Sequence, residues 1–253
     1  VNWFSRYFRC ITWDYRGFPP SEVPTDPKAY SQDQLVDDLK GLMDHLGIEK
    51  AHLVGLSMGG NVVLYFGFKY PQMARSLVVS GLGAGSTNRE RFEQDGRQVV
   101  EMLRTKGMKA LADVYTKGPS RLTFLRKDPL GFQTFYNQFC EHSAEGAAFT
   151  QLGVQLSRPN PLDAGAQMQA LTLPTLVLIG DEDEPCVDAA VFMKRQIPGA
   201  GLVVIPQTGH TVNLEEPALF NQAVQAFLDA VEHDAWATRG EVSTSLLPPD
   251  ARA

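Results

Sequence analysis

The chain has 253 residues, 43% of them hydrophobic and 21% charged, and a formal net charge of −6 at pH 7. This is the composition of an ordinary globular protein, and the acidic balance without a basic cluster argues against nucleic acid as a partner. No apolar run reaches the roughly 18 residues that span a bilayer. The three cysteines, Cys10, Cys140 and Cys186, are too scattered for a disulfide framework or a zinc site. We therefore expect a soluble, cytoplasmic protein with free thiols and no membrane partner.

The first part of the chain predicts a strand, a loop and a helix. Residues 8–13 have the pattern of a strand, and a proline-rich loop follows them. Ser31, with Gln34 three residues later, matches a capping box that opens a helix, and Gly47 is placed to end it. The apolar run at residues 51–54 then predicts a buried strand.

Residues 55–59 read Gly-Leu-Ser-Met-Gly and lie between this strand and a helical pattern. A strand, G-x-S-x-G and a helix in this order are the context of a nucleophile elbow, in which the serine occupies a strained turn. A side chain at Gly55 or Gly59 would collide with the neighbouring strand or helix. The pattern therefore predicts that Ser57 is a catalytic nucleophile at the carboxyl end of a sheet.

The remaining pattern predicts a sheet that is interrupted by a helical insertion. Residues 75–80, 176–179 and 202–205 read as short buried strands, and helices are predicted around residues 189–196 and from Pro217 onward. We predict an α/β fold with a mostly parallel sheet covered by helices on both faces. In this division residues 1–83 and 170–233 form the core, residues 84–169 an inserted helical cap, and residues 234–253 a disordered tail.

Two loops that follow predicted strands carry the groups that a nucleophilic serine needs. Residues 180–185, Gly-Asp-Glu-Asp-Glu-Pro, supply four adjacent carboxylates, and His210 lies in the loop after the next strand. Active sites of parallel sheets lie at the carboxyl ends of strands, so Ser57, His210 and one acid are expected to meet there. The histidine would take the serine proton, and a buried carboxylate would orient the imidazole.

The order serine, acid, histidine resembles that of the α/β-hydrolase superfamily. Gly-Leu-Ser-Met-Gly-Gly, Gly-Asp-Glu-Asp-Glu-Pro and Gly-His-Thr-Val-Asn-Leu-Glu-Glu-Pro resemble its cap-bearing carboxylesterase and 3-oxoadipate enol-lactonase-like branch, over residues 8–231 apart from the cap. The resemblance implies that the acid is Asp183, the fourth residue of a G-x-x-D pattern, and that the backbone N–H of Met58 is one oxyanion donor. It implies no cofactor and no metal. Ser57 excludes the members with an aspartate nucleophile, the epoxide hydrolases and haloalkane dehalogenases.

The chain departs from the family pattern at two places. Pro19 occupies the second glycine position of Asp-x-Arg-Gly-x-Gly-x-Ser, so we expect an altered course for that loop. The second oxyanion donor of the family comes from a His-Gly loop after its third strand, which this sequence lacks. We therefore expect the N-terminal strands and the oxyanion loop to be absent from this chain, as in a fragment of a longer reading frame. The loss of one such donor lowers the rate by about 10²–10³-fold, which puts the activity of this chain in doubt.

The sequence predicts a serine hydrolase that acts on a small-molecule carboxylic ester or lactone through an acyl-enzyme. The same triad supports two alternatives, hydrolysis of a C–C bond in a ring-cleavage diketone and perhydrolase or haloperoxidase activity. A third alternative is a receptor-like protein that binds a ligand on a hydrolase scaffold. Pocket shape decides among these functions.

Overall fold

Four parallel strands form the sheet in the computed structural model, which describes residues 1–239. In chain order they are β1 (Ala51–Leu56), β2 (Ala74–Ser80), β3 (Thr175–Gly180) and β4 (Ala200–Ile205), and the spatial order is the same. The register of the two inner strands pairs Val78 with Leu176 and Val79 with Val177. All four strand carboxyl ends therefore meet at one edge of the sheet, as the predicted α/β fold requires.

Helices fill the connections between the strands. They are α1 (Gln32–His45), α2 (Met58–Lys69), α3 (Arg89–Tyr115), α4 (Leu122–Lys127), α5 (Pro129–Cys140), α6 (Ala144–Thr150), α7 (Gly165–Ala170), α8 (Glu184–Gln196), α9 (Val212–Glu215) and α10 (Pro217–Glu232). Short 3₁₀ turns lie at Phe4–Arg6, Pro27–Ala29, Pro71–Met73, Pro119–Arg121 and Pro161–Ala164, and one π turn lies at Gln151–Gln155. None of the helices in the described part of the chain is both long and apolar enough to cross a membrane.

The core lies on both faces of the sheet, because the inner strands are buried along their length except at Arg75, near the start of β2. Leu77 and Val79 pack into one cluster with Leu64 and Phe66 of α2. Val78, between them in sequence, points to the opposite face and packs with residues of α10. An apolar strand of this kind stays out of water only when helices cover both faces, which explains why these strands lack a polar alternation.

Helix α1 begins at the predicted position, but only one of the two hydrogen bonds of the predicted capping box forms. The Ser31 hydroxyl accepts a hydrogen bond from the backbone N–H of Gln34 at 3.1 Å. The side chain of Gln34 does not return to Ser31; it donates instead to Asp38 at 3.1 Å. The helix ends before Gly47, which adopts φ +64°, the left-handed conformation that commonly ends a helix.

The predicted strand at residues 8–13 is wrong. These residues belong to no helix or strand, and β1 is an edge strand of the described sheet. An apolar segment becomes a strand only when a neighbouring backbone pairs with it, and this segment has no such neighbour within residues 1–239. Side chains still hold it, since the Phe8 ring contacts the ring of His52 edge-on at 5.7 Å. The expectation about further N-terminal strands stays a prediction.

The segment between β2 and β3 contains helices and loops but no strand within the described chain. The division into core and cap at residues 84 and 169 stays a prediction that agrees with this arrangement. The first residues of the predicted tail are packed: the Trp236 ring lies edge-on to Phe227 at 4.7 Å, and its Nε1 donates to the carbonyl of Gly199 at 2.8 Å. The rest of the predicted tail, residues 240–253, lies outside the described residues.

We expect Trp236→Ala to lower the free energy of unfolding by about 2 kcal/mol, because it removes a half-buried ring and one hydrogen bond. Trp3→Ala is the matched control, since Trp3 is 43% exposed, and it should change stability by less than about 0.5 kcal/mol. Urea unfolding followed by circular dichroism measures both. Equal stability of the two variants would show that the segment after α10 is not held against the core.

Candidate active site

Ser57 lies in a strained turn between β1 and α2. Its backbone angles are φ 56° and ψ −112°, a region that residues other than glycine rarely occupy, at a cost of about 1–3 kcal/mol. Two contacts hold the turn: the N–H of Ser57 donates to the carbonyl of Ser80 at 2.8 Å, and the N–H of Asn61 donates to the carbonyl of Ser57 at 3.1 Å. The neighbouring strand and the helix therefore fix the backbone that carries the serine hydroxyl.

The glycines around Ser57 allow the strand and the helix to meet. A Cβ on Gly55 would lie 2.2 Å from the carbonyl oxygen of Gly59, and a Cβ on Gly60 would lie 3.0 Å from the carbonyl oxygen of Ser80. A Cβ on Gly59 would meet only the hydroxyl of Tyr15, at 3.0 Å. The predicted steric requirement for glycine is therefore strong at Gly55. It is also stronger at Gly60, where an added Cβ would meet backbone, than at Gly59, where it would meet a side chain.

Met58 is the first residue of α2. The first N–H groups of a helix have no acceptor within the helix, so the N–H of Met58 is free to donate to an oxygen held beside Ser57. The hydroxyl of Tyr15 lies on the same turn, at Gly59, and burial raises its pKa to about 12, so it stays protonated at neutral pH. Sequence reasoning did not single out Tyr15.

His210 and Asp183 form a buried hydrogen-bonded pair. Nδ1 of His210 lies 2.8 Å from Oδ2 of Asp183, and the two residues are 8% and 1% exposed. Asp183 immediately precedes α8, after β3, and His210 follows β4, so the chain places both at the carboxyl edge of the sheet, like Ser57. Since Nδ1 is engaged by the carboxylate, Nε2 is the ring nitrogen left to face a substrate or a hydroxyl.

Of the four adjacent carboxylates, Asp183 is the one that contacts the histidine. Asp181 accepts a hydrogen bond from the N–H of Thr208 at 3.1 Å, and Glu182 pairs with Arg126 at 3.4 Å. Glu184 is exposed in the first turn of α8. Asp181 therefore connects the loop after β3 to the loop after β4, Glu182 connects it to α4, and Glu184 faces water.

A second carboxylate, Glu215 of α9, positions the histidine loop. It is 6% exposed and accepts hydrogen bonds from the N–H of Gly209 at 2.9 Å and from the Thr211 hydroxyl at 3.1 Å. From the other side, the N–H of His210 donates to the carbonyl of Ser120, in the helical insertion, at 2.7 Å. Sequence reasoning missed Glu215, because nothing in a Glu-Glu-Pro run tells which carboxylate turns inward.

Cys186 adjoins the pair, and its thiol, an Asp183 oxygen and a His210 nitrogen lie within 4.8 Å of one another. A thiol, a carboxylate and an imidazole are also groups that can hold a metal ion. Burial and the neighbouring carboxylate raise the pKa of Cys186 well above its ordinary value, so it stays protonated and donates to the carbonyl of Gly81 at 3.4 Å. In the structure each of the three groups is engaged in a hydrogen bond.

Two surface concavities, of about 540 and 430 Å³, lie along α3 and beside the loop that contains Asp14 and Glu22. Neither is lined by Ser57, Asp183 or His210. Neither is therefore the place where a substrate would meet the serine.

Comparison with known proteins identifies the family of this chain. A family model described as alpha/beta hydrolase fold matches residues 4–217. Among curated relatives, the chain is 26% identical over 229 residues to a 3-oxoadipate enol-lactonase of Acinetobacter baylyi, covering 90% of this chain and 81% of the relative. It is 30% identical over 226 residues to a 2-hydroxymuconate semialdehyde hydrolase of Pseudomonas putida, covering 87% and 76%.

Solved structures agree with these relatives. A thermophilic esterase from Thermogutta terrifontis superposes with a TM-score of 0.74 at 32% identity, covering 86% of this chain and 78% of the esterase. An enol-lactonase from Burkholderia xenovorans superposes with a TM-score of 0.78 at 25% identity, covering 90% and 84%.

We expect Gly55→Ala to lower the free energy of unfolding by about 2–4 kcal/mol, because the added methyl group would overlap backbone that cannot move away. Gly41→Ala is the matched control: Gly41 lies within α1 with no atom within 4 Å of an added Cβ. That change should be neutral or stabilise by up to about 1 kcal/mol, through helix propensity. Thermal and urea unfolding compare the two. If both variants are as stable as the parent, the strand and helix do not approach as described.

Proposed function

This chain belongs to the α/β-hydrolase fold family, and we propose that it is a serine hydrolase of carboxylic esters or lactones, with Ser57, His210 and Asp183 as its catalytic triad. The observation that carries the proposal is the buried 2.8 Å contact between His210 and Asp183 at the sheet edge where Ser57 caps α2. The hydrolase relatives, among them an enol-lactonase and an esterase, support the same reading and favour a small-molecule substrate.

In the proposed reaction Ser57 attacks the carbonyl carbon of the substrate while Nε2 of His210 takes the serine proton. The Asp183 carboxylate holds Nδ1–H and stabilises the imidazolium that forms. The N–H of Met58 donates to the developing oxyanion, which is worth about 3–4 kcal/mol for one well-placed donor. The imidazolium then protonates the leaving oxygen. Water activated by the same histidine releases the acid from the acyl-enzyme.

A second candidate is hydrolysis of a C–C bond by the same three residues. The 30% identity to a 2-hydroxymuconate semialdehyde hydrolase favours it. The two reactions separate by substrate: an esterase turns over short p-nitrophenyl esters, whereas a C–C hydrolase acts on a dienol diketone and leaves those esters nearly untouched.

We expect Ser57→Ala to lower the turnover of p-nitrophenyl butyrate by about 10⁴–10⁶-fold, because no other group supplies the nucleophile. A fluorophosphonate probe should label the parent protein on the peptide that contains Ser57. Ser5→Ala, at an exposed serine, is the control and should leave both readouts unchanged. Labelling that survives in Ser57→Ala, or that maps to another serine, would overturn the assignment.

We expect Asp183→Asn to lower kcat by about 10³–10⁴-fold, because an amide favours the wrong tautomer of His210 and does not stabilise its cation. Glu184→Gln makes the same chemical change at the next position, on an exposed side chain, and should retain parent activity. Steady-state kinetics on one ester compare the two variants. Similar losses in both would assign the acid elsewhere.

A further inference from the structure

Lys127 is the last residue of α4, in the helical insertion, and its ammonium group lies against the loop that carries His210. Its Nζ donates to the hydroxyl oxygen of Thr208 at 3.1 Å and to a carboxylate oxygen of Glu216 at 2.6 Å. Thr208 precedes His210 by two residues, and Glu216 follows it by six, directly before α10. One ammonium group therefore connects the two ends of the histidine loop.

Thr208 is fully buried, and each of its polar groups has a partner. Its N–H donates to Asp181 at 3.1 Å, and its carbonyl accepts from the N–H of Glu182 at 2.9 Å. Its hydroxyl donates to the carbonyl of Pro206 at 2.9 Å, so the hydroxyl oxygen is left to accept the bond from Lys127. Because all these groups are engaged, a shift of this residue would move the backbone that leads to the histidine.

The 3₁₀ turn before α4 contacts the same loop. The N–H of His210 donates to the carbonyl of Ser120, in this turn, at 2.7 Å. A Cβ on Gly209 would overlap that carbonyl oxygen, so the glycine allows the backbone of the insertion to reach the loop. The insertion therefore holds the histidine at its backbone through Ser120 and holds the ends of its loop through Lys127.

The contact between Lys127 and Glu216 matters more for geometry than for stability. The two side chains are 26% and 31% exposed, and an ion pair at this degree of exposure contributes little to the free energy of unfolding. Catalysis is more sensitive, because a misplacement of about 1 Å can lower a rate by about 10²-fold. In the proposed reaction His210 accepts the serine proton, donates it to the leaving oxygen and then activates water, so its ring must keep one position through all three steps.

We propose that Lys127 is a positioning residue for His210. It joins Thr208 to Glu216 and thereby holds the histidine loop in the geometry that proton transfer from Ser57 requires. It acts through the loop and not on the reacting atoms. The inference rests on the proposed function for the ester chemistry, whereas the effect of Lys127 on the histidine can also be measured without turnover.

The first test replaces the ammonium group. Lys127→Met should lower kcat for p-nitrophenyl butyrate, expressed per serine that reacts with a fluorophosphonate, by about 10-fold and change KM by less than about 2-fold. Lys127→Arg keeps the charge and should lose less than about 3-fold. Lys106→Met makes the same change at an exposed position of α3 and should retain the parent kcat. The inference is wrong if Lys127→Met has the parent kcat, if its defect lies in KM alone, or if Lys127→Arg is equally slow.

The second test uses the partner carboxylate and also serves where Lys127→Met does not fold. Glu216→Gln removes the charge and keeps the shape of the side chain, and it should lower kcat by about 5–10-fold. The double variant Lys127→Met/Glu216→Gln should be no slower than the slower single variant, because both changes break the same connection. Losses that multiply in the double variant would show that the two residues act separately, which contradicts the proposal.

The third test observes the histidine directly. The Nδ1 proton of His210, held by Asp183, should give a low-field proton NMR signal that His210→Gln removes. We expect Lys127→Met to shift or broaden this signal and Lys106→Met to leave it unchanged. Should the parent hydrolyse no ester and carry no label on Ser57, the hydrolase proposal fails, but a changed signal in Lys127→Met still supports the positioning role. Turnover that Ser57→Ala abolishes, together with an unchanged kcat and signal in Lys127→Met, rejects the positioning role alone.

Discussion

The close meeting of β1 and α2 is the constraint on which the site depends. The turn between them forces a non-glycine residue, Ser57, to a positive φ, which is unfavourable by itself. The turn persists because the N–H of Ser57 bonds to Ser80 on β2 and because Gly55 allows the helix to lie within contact of the strand. Packing along the β1–α2–β2 unit therefore maintains the strained backbone of Ser57, which is half-buried and directly precedes the first N–H of α2.

The second half of the site is a buried polar cluster in the loops after β3 and β4. His210 is held at its ring by Asp183 and at its backbone by Ser120, while Glu215 holds the preceding glycine. In a low-dielectric interior such bonds are strong, and each would be costly to leave unmade. Because Ser120 belongs to the helical insertion, a movement of that segment would directly displace the backbone of His210.

Most of the fold could be predicted from the sequence. The predictions that failed concern segments whose structure depends on contacts with distant parts of the chain. The strands at residues 51–54, 75–80, 176–179 and 202–205 were predicted because side chains buried on both faces must be apolar, and the structure extends each by only a few residues. The segment at residues 8–13 has a similar local pattern, but no backbone among residues 1–239 pairs with it, so it does not form a strand. Trp236 lay in a stretch without periodicity, yet it packs on Phe227, because one large ring can anchor a segment that forms no helix.

The sequence by itself determined the elbow around Ser57 and the order of serine, acid and histidine, because glycine spacing and strand-end loops are local properties of the chain. The resemblance pointed to Asp183 among four adjacent acids, but only the tertiary structure shows which carboxylate reaches His210 and which ones hold loops. The burial of Arg158 could not be predicted from the sequence. In sequence it stands in a polar Ser-Arg-Pro-Asn stretch without any pattern of burial, whereas in the fold it is 5% exposed and pairs with no carboxylate of residues 1–239. Burial and pairing depend on distances between segments far apart in the chain, and no local pattern encodes them.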